Sequence, residues 1–302
     1  MAAAGYESWF VSARDPSGAR ALWIRHTRHR SRAGRATAAL WCTVADPGLS
    51  EPLTVVKQVF TAVPAGAAAG PDRFAGEAVL SGQAVQWDLA VTADGQALRH
   101  LRPAWLYRSP LPRTKLEAPV PHGSVSGTLR VGATNVEVSG WRGTVGHNWG
   151  SEHADSWVWL HADGLGESRA DWLELALARI RAGRVLLPWT AFGAVSLGGQ
   201  RIALGGLGRT ARVSADAARL TAAIHAPGGP LRLTVTADPA HTVVLRYADP
   251  AGGSRLVSHC LLARAELALP SGGRPLAAAL CAYEYGTAHA PGGTEPRSLP
   301  PE

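Results

Sequence analysis

Lysine is almost missing from this chain: Lys57 and Lys115 are the only two, so Arg carries the basic charge. With abundant Ala, Gly and Pro, this is the composition of a GC-biased coding sequence. The formal net charge of +7 therefore says little about an acidic partner. Cysteine is scarce too. Cys42, Cys260 and Cys281 show no CxxC spacing, which argues against a disulfide framework and for reduced core thiols. No run of about 18 apolar residues is present, so no membrane span is expected. Residues 1–9 lack a basic stretch followed by an apolar one; no signal peptide is expected, and a cytoplasmic location is the simplest. There is no P-loop and no GxSxG elbow. Gly206-Leu207-Gly208-Arg209-Thr210-Ala211 has the glycines of a dinucleotide fingerprint but no βαβ unit around it, so no cofactor is implied.

Apolar residues make up 46% of the chain and charged residues 18%, which excludes disorder and a coiled coil. Period-two alternation dominates, at 8–14, 21–28, 38–44, 53–60, 84–91, 125–131, 156–162, 231–237, 241–247 and 276–285. Turn signals such as Asp15-Pro16-Ser17-Gly18 and Pro227-Gly228-Gly229 separate these segments. Helical periodicity is scarce, with 215–224 the best candidate. This pattern predicts an all-β chain built as an antiparallel sandwich or barrel. Ser8-Trp9 followed by Trp23 is echoed by Ser156-Trp157 followed by Trp172, at an offset near half of the 302 residues. The echo points to two similar β-domains, 1–150 and 151–302. A Pro/Gly-rich tail from Ala290 is expected to fray. Arg25, Arg28, Arg30, Arg32 and Arg35 cluster with His26 and His29. Only Trp23 is near to stack on a base, so a solvated hairpin end is expected and no nucleic-acid partner.

Residues 140–163 hold the densest chemistry: Trp141, Trp149, Trp157, Trp159, His147, His153, His161 and Glu152. Alternation puts Trp157, Trp159 and His161 on one strand face and Val158 and Leu160 on the other. Two indoles and an imidazole suit the wall of a barrel cavity; large core fillers are the alternative. His147, Asn148, Glu152 and His153 flank a Gly-containing turn. An imidazole near a carboxylate can hold a proton near neutral pH, which makes His147 and Glu152 candidate acid and base. The alternative is that His147 and Asn148 satisfy backbone groups at a strand junction. The spacings of His147, Glu152, His153 and His161 match no metal-ligand pattern, and no metal is expected. Arg25 shares a face with Trp23 and Thr27 and is a candidate to bind a ligand oxygen, with a surface position as the alternative. Glu284 lies opposite Tyr283 and Tyr285 and is a candidate second carboxylate, with a solvated face as its alternative.

Gly146-His147-Asn148-Trp149-Gly150 followed by Trp157-Val158-Trp159 resembles the central motif of the superfamily of carotenoid 1,2-hydratases, tocopherol cyclases and AttH-like proteins. Residues 7–9 through 21–25 are similar to its N-terminal hairpin, and Ala282-Tyr283-Glu284-Tyr285-Gly286 looks like its closing strand. The resemblance implies two tandem lipocalin-like β-barrel domains and a hydrophobic ligand. Members with hydratase chemistry often carry Asp before the motif His. Gly146 stands there in this chain, which leaves His147 or Glu152 to supply the acid.

The expected function is binding of a large hydrophobic small molecule, isoprenoid- or polyketide-like, in a barrel pocket. Any chemistry is expected to be cofactor-independent hydration, cyclisation or isomerisation by His147 and Glu152. Trp149, Trp157 and Trp159 would form a stacking wall, with Asn148, His153, His161, Arg25 and Glu284 around the ligand. A non-catalytic carrier of lipid or another hydrophobic ligand shares every one of these pocket features. Oligomeric state is not encoded in any pattern found.

Overall fold

The computed structural model describes residues 4–288, apart from Glu167 and Arg274, together with Leu299. The remainder of the tail expected to fray lies outside the described residues. Two ten-stranded antiparallel sheets follow one another along the chain. In the first, Gly5–Arg14 lies between Ala21–Arg30 and the long closing strand Thr134–Gly150. In the second, Ser156–Asp163 lies between Trp172–Arg179 and the closing strand Leu276–Thr287. The strand order repeats position for position between the sheets. Each sheet curls until its outer strands meet: Leu53–Phe60 against Arg73–Leu80, and Gln200–Thr210 against Arg219–Ala226. The chain is thus all-β, two lipocalin-like barrels in tandem.

Neither barrel is hollow. Val11, Leu22, Leu40, Trp87 and Trp141 fill the first. Val158, Leu160, Leu175, Leu220 and Tyr283 fill the second. The alternation read at 156–162 holds, but its two faces are used differently than expected. Val158 and Leu160 point into the barrel, while Trp157 and Trp159 point out of it into a third apolar cluster between the halves.

Two readings are corrected. Residues 215–224 are not helical: Arg212–Ala215 and Arg219–Ala226 are strands joined by a turn in which Asp216 Oδ1 accepts from the N–H groups of Ala218 and Arg219. Leu220, Ala222 and Ile224 alternate inward, so sheet burial overrides the helical bias of the alanines. The echo of Ser8-Trp9 in Ser156-Trp157 is also one residue out of step. Trp9 packs toward the first barrel's interior, whereas Trp157 faces outward. Because side chains alternate, a one-residue offset reverses the face. The structural counterpart of Trp157 is Phe10. Phe10 pairs with Gly146 of its closing strand as Trp157 pairs with Gly286 of its own.

Both glycines are required by what lies on them. A Cβ at Gly146 would stand 2.1 Å from the Phe10 ring, and one at Gly286 would stand 2.2 Å from the Trp157 indole. The rings lie flat against bare backbone, and this brings the outward faces of the two opening strands together. Phe10 then meets Trp159 edge-on at 5.0 Å between ring centroids. Gly146→Ala is expected to destabilise the protein by about 1–3 kcal/mol through overpacking, and adding Phe10→Ala should recover part of that loss. Denaturant midpoints check both; a single variant as stable as the wild type would contradict the packing.

Candidate functional site

A cavity of about 530 Å³ opens between the two barrels. The expected pocket inside one barrel is replaced by this shared one, because both interiors are already packed with side chains. The second barrel contributes the outer faces of Trp157, Trp159, Ala176, Ala178 and Phe192. The first contributes Tyr6, Phe10, Trp23, Arg25 and Asn148, and residues 100–112 fold across its side. Lys115 shapes that segment: its Nζ donates to the carbonyls of Leu106, Ser109 and Pro112 at 2.7, 3.0 and 2.5 Å. One of the two lysines is thus a buried staple for the cavity wall.

Trp157, Trp159, Arg25, Asn148, His153 and Glu284 all line this space. His147 does not. It pairs with Trp9 across the sheet, stacks on Trp9 and Trp149 at 4.1 and 4.5 Å, and contacts Glu7 and Glu117 at 3.2 Å each. That is the opposite face of the strand from Asn148, and Trp149 lies on it too, stacked on Tyr107. Glu152 sits at the surface, bonded to Arg113 at 2.8 Å. The structure therefore separates His147, Trp149, His161 and Glu152 from the cavity, and gathers Trp157, Trp159, Arg25, Asn148, His153 and Glu284 around it.

At one end of the cavity, Glu284 accepts from Trp157 Nε1 at 2.7 Å and from the Tyr247 hydroxyl at 3.0 Å, with His259 Nδ1 3.5 Å away. Burial pushes the Glu284 carboxyl up, but His259, Trp157 and Arg25 outweigh it and hold the group below the usual carboxylate range. Burial, then the neighbouring Glu284 carboxylate, push the Tyr247 phenol well above its ordinary value. Arg25 donates to Ser8 Oγ at 2.6 Å and lies 3.9 Å over the Tyr247 ring, a buried cation–π contact. Burial, then the Arg25 and Arg255 cations, push His153 down to about 3, so it is neutral at ordinary pH. The Asn148 Oδ1 has no partner among the described residues.

At the other side, His100 is buried in the wall. Its Nε2 lies 3.4 Å from Glu174 Oε1, and its Nδ1 has no hydrogen-bond partner among the described residues. Glu174 also accepts from Trp159 Nε1 at 2.6 Å and contacts His161 Nδ1 at 2.9 Å. His161 passes on to Asp163 at 3.0 Å, which takes His122 Nδ1 at 2.8 Å and Arg14 at 2.6 Å from the first half. His161 is therefore not a wall residue; it sits behind the wall. Burial pulls His161 down, and Asp163 and Glu174 raise it above its ordinary value in spite of that. Asp163 is held well below the usual range, against burial, by His161 and Arg14. Glu174 is likewise held low, against burial, by His100 and His161. His122, His161 and Asp163 converge within 4.8 Å, but Arg14 and Arg142 sit on Asp163 and His122 and make the group an ion-pair cluster.

Sequence reasoning missed His100, Glu174, Tyr247 and His259. Glu174 had a signal: it is a lone carboxylate in the apolar strand Trp172–Arg179. His100 had none, because it lies in a segment without alternation.

Asp163→Asn is expected to cost about 3–5 kcal/mol, as breaking a buried pair does. Asp163 has a lowered folded pKa, so its contribution is present above its unfolded value of about 3.9 and is lost as pH falls through the folded one. His161 is raised, so its share is present below about 6.5 and is lost as pH rises through its folded value. The gap in thermal midpoint between wild type and variant should thus be widest from about pH 4 to 6.5. A gap independent of pH would contradict the assignment.

No family model matches the chain. Two uncharacterized proteins of Mycobacterium tuberculosis, from strains CDC 1551 / Oshkosh and H37Rv, are each 33% identical over 186 residues. Those matches cover 59% of this chain and 54% of each relative, so the chain spans about half the length of the curated relatives it matches. Two solved structures are similar along nearly the whole chain. An AttH candidate from Nitrosomonas europaea has a TM-score of 0.52 at 15% identity, covering 94% of this chain and 93% of that one. Kievitone hydratase from Nectria haematococca has a TM-score of 0.54 at 9% identity, covering 93% and 88%. The chain shares the fold of these two proteins.

Proposed function

We propose that the protein encloses a large apolar small molecule, isoprenoid- or polyketide-like, between its barrels and carries out cofactor-independent acid–base chemistry on it. The observation that carries the reading is the cavity of about 530 Å³, walled by indoles and aliphatic side chains and bordered by buried titratable groups. Arg25, Asn148 and the Tyr247–Glu284 pair would receive a polar end of the ligand, and Trp157 and Trp159 would flank its apolar body. Each indole N–H is fixed by a buried carboxylate, which sets the orientation of the rings that border the cavity.

Proton handling falls to His100 in this reading. His153 stays neutral, and both Glu284 oxygens are already engaged, whereas His100 lines the cavity with an Nδ1 that has no hydrogen-bond partner among the described residues and with Glu174 beside Nε2. A carboxylate behind an imidazole orients it and stabilises its cation. In a hydration, the imidazolium would give its proton to one alkene carbon; water would add at the other and return its surplus proton to the imidazole. In an isomerisation, the same nitrogen would remove and return one proton. The hydratase name of one structural neighbour supports the first of these. His147 and Glu152 remain candidates only for a step outside the cavity.

A carrier without chemistry is the second reading, favoured by the full engagement of Glu284, which makes it a holder rather than a base. The two separate on one set of variants, tested with a molecule extracted from the purified protein. His100→Ala is expected to slow its conversion by about 10²–10⁴ and leave its retention unchanged, while Trp157→Ala should lose retention. Conversion that survives in His100→Ala and fails in His147→Ala would overturn the assignment. A molecule returned intact by the wild type would establish the carrier.

A further inference from the structure

The rim of the cavity has a composition unlike the rest of the surface. Of the large hydrophobic side chains exposed among the described residues, Trp105 at 57%, Leu207 at 55% and Leu111 also line the cavity, and therefore stand at its mouth. Val185, at 62%, is on the short hairpin between Ile180 and Leu187, both of them lining residues. These side chains come from three separate segments, 100–113, 180–190 and 203–212. Together the segments carry seven Arg and not one Asp or Glu. Arg102 is spent on the carbonyls of Gly193 and Leu204, Arg113 on Glu152, and Arg181 on Asp155. Arg108, Arg184, Arg209 and Arg212 remain exposed, with Arg209 contacting the His225 side chain.

We propose that this rim is a docking surface for an anionic phospholipid bilayer. Separate apolar tips around an opening are too sparse for a protein–protein core, but each can enter the interfacial layer of a membrane by itself. An indole is well suited to that depth. The exposed arginines lie on the same segments as these apolar tips, where lipid phosphates would meet them, and no carboxylate in these segments opposes the approach. Docked in this way, the mouth faces the acyl region, and an apolar ligand passes between bilayer and cavity without crossing water. The inference deepens the reading of the cavity as an apolar site, yet docking itself needs no ligand. The chain attaches from one side, and no helix of the described residues is long and apolar enough to cross a membrane.

The test is sedimentation of the full chain with vesicles of phosphatidylcholine alone and of phosphatidylcholine mixed with phosphatidylglycerol, at low and high salt. Binding is expected to the mixed vesicles and to weaken as salt rises. Trp105→Ser with Leu207→Ser should weaken it by about tenfold or more, as should Arg108→Ser with Arg184→Ser and Arg209→Ser. Val63→Ser with Val79→Ser, exposed positions outside the rim, should bind as the wild type does. Thermal midpoints of all variants should match, since every altered side chain is exposed. Three results would overturn the proposal: no binding to either vesicle, equal binding by the rim variants, or self-association through the rim in place of vesicle binding. None of them touches ligand retention, so this surface can fail while the cavity reading stands.

Discussion

A strand that is apolar on both faces must be covered twice, and the two opening strands of this chain meet that demand by covering each other. Val11 and Ala13 face into the first barrel and Val158 and Leu160 into the second. Phe10 and Trp159 face out, and their edge-on contact at 5.0 Å anchors the third apolar cluster. Everything distinctive about the molecule follows from that contact. It requires Gly146 and Gly286, so that rings can lie on the closing strands; it buries Arg14 against Asp163; and it leaves a gap where the two curved surfaces part. Gly146 is thus explained by packing. A carboxylate at that position would have to displace Phe10.

The gap is backed by charges that burial alone would have neutralised. Glu174, Asp163 and Glu284 are all held below the carboxylate range despite being enclosed, because each faces imidazoles or a guanidinium. Breaking such pairs is costly, which makes the contact between halves specific as well as adhesive. It also places ionised groups directly behind Trp157 and Trp159, so the ring faces turned to the cavity are rigidly set. The wall of the cavity is thus apolar to touch and ion-paired behind.

Much of the fold was legible from period-two alternation and turn residues, since strands with one buried face announce themselves. The strand pairings were not legible, and the one-residue slip between Ser8-Trp9 and Ser156-Trp157 shows why: a sequence echo carries no information about which face is inward. For the site, alternation placed Trp157 and Trp159 on one face, and Arg25 and Glu284 do meet around one cavity. His147 was drawn in by its neighbours in sequence, but residues adjacent along a strand point to opposite sides, and Asn148 rather than His147 faces the cavity. His100 could not be found at all. The role proposed for it depends on Glu174, which is 74 residues further along the chain and belongs to the other barrel.

The most direct test of the account is a crystal structure of the protein with the apolar molecule it retains from its own cells. The account predicts density between the barrels, its body against Trp157, Trp159 and Phe192, one end toward Arg25 and Tyr247, and His100 in contact. Density inside either barrel, displacing Val11 or Val158 and their neighbours, would contradict it.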